Sequence, residues 1–579
     1  MKVLITILLL ALGVNAASLD DLTYTTTDGK VAITDCNESA RGELIIPPVI
    51  EGNPVTSIGY EAFRDCNSLT SVNIPDSVTS IGASAFRFCS NLKSVDIPDS
   101  VTSIGRYAFD SCTSLTSINI PDVITSIERG FAYRCRGLTS ITIPDSVTSI
   151  ELTAFASCNS LTGITIPDSV TSIGDGAFEN CNGLTRITIG NSVTSIGERA
   201  FSTCSNLTSI TIPDSITSIE AQSFRACSSL TSITIPDAVT SIGAQSFRAC
   251  SSLTSITIPD AVASIGFAAF ADCTSLTNIT IPDEVTSLND GIFENCTSLA
   301  SITIPSGVDS ISENSFSGCT SLTSITIPDS VTSIKQSAFY GCSGLTDVTI
   351  PAGVTSIGIY SFRDCTSLTS ITIPDSVTSI GASAFEGCRS LKDVFMEGAA
   401  PSIGGFAFQN LAPNALVKVK PEHQASYGDT GTTWNGLIIN DKQVECDNEE
   451  LTNTITTLVA QLAQKDAQIA EKNAQIVELE KRPTESDTEK LTNTITTLVA
   501  QLAQKDIQIA ELEKRPSLED IQDTRAGSVV LTSTGNGTVI LKMMIEESSD
   551  LSVWENSEES IEVELPLAEG KKFLRFALK

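Results

Sequence analysis

Histidine is almost missing from this 579-residue chain: there is one, His423. Catalysis by a positioned imidazole, and metal sites built from several imidazoles, are therefore out of reach for nearly all of the sequence. Basic residues are also few, with 35 Lys and Arg against 68 Asp and Glu for a net charge of −33. Such a balance repels nucleic-acid phosphates and anionic membrane surfaces, so neither is expected as a partner. No stretch beyond the first residues approaches the ~20 consecutive apolar side chains that a membrane helix needs. No phosphate-binding glycine loop, zinc-spaced Cys and His cluster or nucleophile elbow occurs either. With unlike catalytic groups nowhere convergent, no catalytic residue, metal ligand or cofactor is assigned.

What the chain has in quantity is cysteine, 17 in all, together with 41% apolar residues, enough for a core. Fifteen of the cysteines stand at Cys66, Cys89, Cys112, Cys135, Cys158 and onward to Cys388, each 23 residues after the last. A fixed period of this kind predicts stacked coils, with equivalent residues in files along the stack. Thiols at one place in every coil read as a core ladder of small apolar side chains. The alternative is coil-to-coil pairing, which needs Cα separations of ~4.4–6.8 Å. An odd total leaves at least one thiol unpaired within a monomer.

One unit runs Ala85-Phe86-x-x-Cys89-x-x-Leu92-x-x-Val95-x-Ile97-Pro98-Asp99-x-Val101-x-x-Ile104-Gly105. Val95 and Ile97 alternate as in a short half-buried strand. Phe86 and Cys89, three apart, suit a helical or 3₁₀ turn. Pro98 ends the strand, and Asp99 is expected to brace the turn by bonding nearby amides. Departures are few: Phe131 comes one residue early, Gly190 replaces the turn Pro, and Ser306 and Ala352 replace the turn Asp. These predict small kinks. Gln222 to Val239 recur identically as Gln245 to Val262, a duplicated unit.

Leu-x-x-Ile-x-Ile-Pro followed by Val-x-x-Ile-Gly-x-x-Ala-Phe-x-x-Cys resembles the BspA-like, treponemal-type leucine-rich repeat, and the match covers about Leu44 to Leu411. The resemblance implies a leucine-rich-repeat solenoid of short parallel strands and, for function, adhesion at a cell surface.

The flanks complete the organisation. Residues 1–16 read as a secretory signal peptide, with an apolar run from Val3 to Val14 before Ala16. Residues 17–54 read as an N-terminal cap, 55–411 as the solenoid and 412–446 as a C-terminal cap. Leu451, Ile455, Leu458 and Leu462 open a heptad pattern that continues, through a second copy of its first block, to residue 512. Residues 447–516 are thus expected to form two coiled-coil helices broken at Pro483, pairing either between chains as a homo-oligomer or with each other. Cys446, just outside the first helix, is placed either to link chains by a disulfide or to form a disulfide within the cap. Residues 525–579 carry strand-like runs and read as a small all-β module.

Outward strand positions follow the pattern Ser-x-Thr, as in Ser209 and Thr211, and from Thr142 to Thr372 the second is always Thr. Thr is a good exposed strand residue on its own account. Departures from the pattern mark candidate ligand contacts: Asn73, Asp96 and Asn119 early, Arg186 midway, Asn278 and Asp347 later. The column Asp76, Asp99, Asp122, Asp145 and Asp168 offers carboxylates suited to calcium, but no calcium-loop motif accompanies it. Together these features point to a secreted, non-enzymatic binding scaffold whose partner is an extracellular protein or glycan. The alternatives are a structural coat or matrix assembled by the coiled coil, and an ice-binding Thr array.

Overall fold

The computed structural model describes residues 17–440 and the strands Val529–Thr534, Thr538–Glu547 and Glu555–Pro566. The signal-peptide and coiled-coil expectations, and Cys446, lie outside the described residues.

Residues 17–440 form a parallel-strand solenoid with the 23-residue period. Each coil contributes two short strands that pair in register with their equivalents one period away. Arg186–Thr188 pairs Ser209–Thr211, which pairs Ser232–Thr234. On a second strip Ser149–Ile150 pairs Ser172–Ile173, then Ser195–Ile196. β-branched residues fill both strips because each strand buries one face and shows the other to water. Between the strips, Val101 N donates to Pro98 O at 3.0 Å and closes the turn. The turns at Gly190, Pro305-Ser306 and Pro351-Ala352 close in the same way, at 3.2, 3.1 and 3.0 Å. The turn is therefore a backbone device. Among the described residues only Asp168 of the Asp column accepts a side-chain bond, from Asn191 N of the next coil at 2.7 Å, so the expected bracing of each turn by its own Asp is corrected.

The segment carrying Phe and Cys is not helical. It forms β-turns whose amides alternate in direction: Ser84, Phe86 and Phe88 donate to Arg106, Ala108 and Asp110 of the following coil, while Ala85, Arg87 and Cys89 bond three residues back. To hold this alternation two residues per coil, four apart, take left-handed backbone angles, as Ser84 (φ 56) and Phe88 (φ 65) or Gln245 (φ 55) and Ala249 (φ 60). The three-residue Phe–Cys spacing that suggested a 3₁₀ turn fits consecutive β-turns equally well, and few of these positions carry the glycine that would have betrayed them.

The core consists of files. Phe86, Cys89, Leu92 and Val101 are fully buried, and so are their equivalents along the stack. Neighbouring Phe rings stand 4.9–5.7 Å apart and nearly parallel through most of the file. Phe131 is the exception. The pair Ala108-Phe109 is inverted to Phe131-Ala132 one coil later, yet the ring still fills the file, meeting Phe109 at 71° and Phe155 at 72°. The slot is fixed by space, not by backbone position, and the kink is confined to a ring rotation. All sixteen described cysteines are buried and unpaired. Most donate S–H to the Phe carbonyl of the preceding coil, as Cys227 Sγ to Phe201 O at 3.2 Å.

Before the first full coil, the antiparallel hairpin Leu22–Thr27/Lys30–Cys36 extends one strip by pairing with Asn53–Ile58. The hairpin turns at Asp28-Gly29, both with positive φ as a two-residue hairpin turn requires. At the other end Trp434 meets Phe408 at 6.0 Å and Tyr427 at 4.9 Å. Separately, the strands Val529–Thr534, Thr538–Glu547 and Glu555–Pro566 make an antiparallel three-stranded sheet.

Candidate functional site on the sheet face

The outward side of the first sheet strip is a repeated surface that runs along the coils. Three Thr columns run along the coils, and their hydroxyls are used differently. Beside the sheet, Thr185 Oγ1 donates to Thr162 O at 3.0 Å, and on the second strip Thr194 Oγ1 donates to Thr171 O at 3.2 Å. The column at the sheet centre, including Thr165, Thr211 and Thr303, is exposed and makes no side-chain hydrogen bond among the described residues. Its hydroxyls are left for water or a ligand.

The early coils interrupt this column. Asn73 and Asp96 lie opposite each other in paired strands, and Asn119 follows one rung on, after Ile118 pairs Val95. A surface depression of about 620 Å³ opens there, lined by these three with Glu43, Asp122 and the small residues Ser94, Ser117 and Ser140. The three early candidates are thus brought together, although not in the same role. Asn119 accepts from Ile97 N at 2.9 Å and donates to Ile97 O at 2.6 Å, standing in for a ladder pair. Its amide is consumed by the fold. Asn73 and Asp96 are exposed and make no side-chain bond, so they face the opening free. Glu43, from the cap strand Arg41–Ile45, belongs to no repeat and so carries no signal in the sequence pattern, while Asp122 comes from the Asp column at the turns. With Asp96 they make the depression acidic, suited to a cationic or hydrogen-donating group.

The remaining candidates lie further along the same face and outside the depression. Arg186 lies across Gly163 of the preceding coil, where a Cβ would meet its Cγ and Nε at 3.4 Å. Ser209 and Thr211 sit in the strand after it, Asn278 donates to its neighbour Thr277 Oγ1 at 3.3 Å, and Asp347 is exposed at the start of Asp347–Thr349. They form no common site. His423 is half-buried in the short turn Pro421–His423, far along the chain from all of these. Burial pushes the thiols of Cys181, Cys227, Cys273 and Cys319 up to about 12, which removes them as nucleophiles near neutrality. Among the described residues no cluster of His, Cys, Asp and Glu fits a metal ion, and no helix is long and apolar enough to cross a membrane.

The profile described as "BspA type Leucine rich repeat region (6 copies)" matches residues 48–162, 149–273, 240–366 and 332–422. A solved leucine-rich repeat protein from Bacteroides ovatus is 30% identical, over 73% of this chain and 98% of its own, with a TM-score of 0.48. A leucine rich cell surface protein from Faecalibacterium prausnitzii is 33% identical over 61% and 92% (TM-score 0.40). A leucine-rich repeat protein from Eubacterium ventriosum is 26% identical over 63% and 92% (TM-score 0.37). No curated protein matches the chain.

Proposed function

Because the chain belongs to the BspA-type leucine-rich repeat family, we propose that it is an exported, non-enzymatic adhesion scaffold that binds an extracellular protein or glycan on the sheet face of its first coils. One observation carries the reading: the surface is recessed where the regular Ser-x-Thr pattern gives way to free polar groups, at Asn73 and Asp96 beside Glu43 and Asp122. From Thr142 to Thr372 the column is Thr throughout, and the departures beside it at Arg186, Asn278 and Asp347 are single residues in separate coils. A rigid stack fixes those groups before a ligand arrives, which lowers the ordering cost of association.

Binding of the full chain to a panel of extracellular-matrix proteins and surface glycans tests this. The double change Asn73→Thr/Asp96→Thr restores the repeat pattern and is expected to weaken the binding at least tenfold. Asp347→Ser, which restores the repeat residue at the first strand position in a distant coil, is expected to leave it within twofold. Equal losses from both, or none from the first, would refute the assignment.

A further inference from the structure

The opposite, turn-bearing edge of the early coils carries a second surface, unrelated to the sheet-face site. In a chain of net charge −33, this edge is locally basic. Between Tyr60 and Arg136 the turn segments present Arg64, Arg87, Arg106, Arg129, Arg134 and Arg136 against four acids, Glu61, Asp65, Asp110 and Glu128. Arg64 pairs with Glu61 and Asp65, and Arg87 pairs with Asp110 at 2.8 Å. Asp110 is only 2% exposed, so its charge is spent inward. Arg106, Arg129, Arg134 and Arg136 are exposed and form no ion pair among the described residues.

Aromatic rings lie beside the guanidinium groups of Arg87, Arg129 and Arg134. Arg87 lies 4.6 Å from the Phe88 ring and 5.8 Å from that of Tyr107, Arg129 lies 5.8 Å from Tyr107, and Arg134 lies 4.7 Å from Tyr133. The Tyr107 ring reaches across the next coil because Gly130 makes room: a Cβ there would come within 2.2 Å of the ring. A guanidinium backed by a ring face keeps its in-plane N–H fork free, and that fork matches the two oxygens of a carboxylate or sulfate. We propose that this edge is a docking surface for a sulfated or carboxylated polysaccharide.

The backbone argues against an extended acidic peptide as the occupant. Peptides that add to an edge gain affinity from main-chain bonds. Here the amides of Tyr107, Ser111, Gly130, Tyr133, Arg134 and Arg136 already donate to carbonyls within the stack. What remains for a partner is side-chain donors, two of them in register one coil apart at Arg106 and Arg129.

Heparin serves as the probe, with the full exported chain in 0.15 M salt. Arg129→Gln/Arg134→Gln, both surface changes, is expected to reduce heparin affinity at least tenfold. Arg225→Gln/Lys335→Gln, which removes the same charge from distant coils, is expected to change it less than twofold, and so is Asn73→Thr/Asp96→Thr on the sheet face. The inference is overturned if wild type does not bind heparin, if the distant pair costs as much as the local pair, or if poly-glutamate binds more tightly than heparin, which would point to an acidic protein segment. Heparin binding that survives loss of the sheet-face ligand keeps the two readings separate.

Discussion

Raising the pH is predicted to unfold the solenoid through its cysteine file. Four thiols, Cys181, Cys227, Cys273 and Cys319, are shifted from 9.0 to about 12, above all by burial. A raised folded value means that the neutral thiol is favoured in the stack, so its contribution is intact below 9 and is lost as pH climbs toward 12. At pH 10 an unfolded thiol is ionised about ten to one, which favours unfolding by about 1.4 kcal/mol per thiol, or about 6 kcal/mol for the four. That is comparable with the whole stability of an ordinary domain, about 5–15 kcal/mol. Urea denaturation followed by circular dichroism between pH 8 and 11, with thiolate absorbance recorded in parallel, measures it. Thiolate signal and loss of structure are expected to coincide. Replacing all four by Ala lowers stability at pH 7, yet flattens the pH dependence by about 5 kcal/mol per pH unit. Thiols that titrate near 9 while the dichroism stays native would refute the reasoning.

Phe224→Ala removes a fully buried ring between Phe201 at 5.7 Å and Phe247 at 5.6 Å; a loss of about 3–5 kcal/mol is expected from the urea midpoint. Arg87→Ala leaves the Asp110 carboxylate buried with only Ser111 Oγ at 2.8 Å as donor. It should cost about 2–3 kcal/mol, of which the double change Arg87→Ala/Asp110→Ala recovers most. Ala249→Gly relieves a left-handed residue (φ 60) and should raise stability by about 0.5–1 kcal/mol, since the conformational gain exceeds the added chain entropy.

The stack was legible because translation repeats every signal: Cys, Phe, Leu and Ile at one interval leave a single way to bury them all, and the two strips follow from β-branched spacing. The turn segment was misread because Phe-x-x-Cys spacing is common to a 3₁₀ turn and to consecutive β-turns. Its left-handed positions carry Gly, Asn or Asp in some coils, as Gly291 and Asn295, but Ser, Phe, Gln or Ala in others, as Ser84, Phe88, Gln245 and Ala249, so no single residue type marks them along the repeat. At the candidate site, Asn73, Asp96 and Asn119 stood out against a monotonous background. That Asn119 is spent on Ile97 was invisible, since amide pairing depends on where the neighbouring rung ends. Glu43 escaped because caps, by their task, break the pattern.

The alternating amides have one more effect. In the turn strip Ser84, Phe86 and Phe88 point their N–H groups toward the following coil, whereas Thr79, Gly82 and Lys93 point theirs toward the preceding one. Peptide dipoles in an α-helix all add along one axis and load its ends with opposite partial charges. Here opposed rows offset one another, so lengthening the rod builds up no comparable polarisation at its tips. Duplicating a unit, as Gln222 to Val239 and Gln245 to Val262 record, adds both rows together and so extends reach without changing this balance.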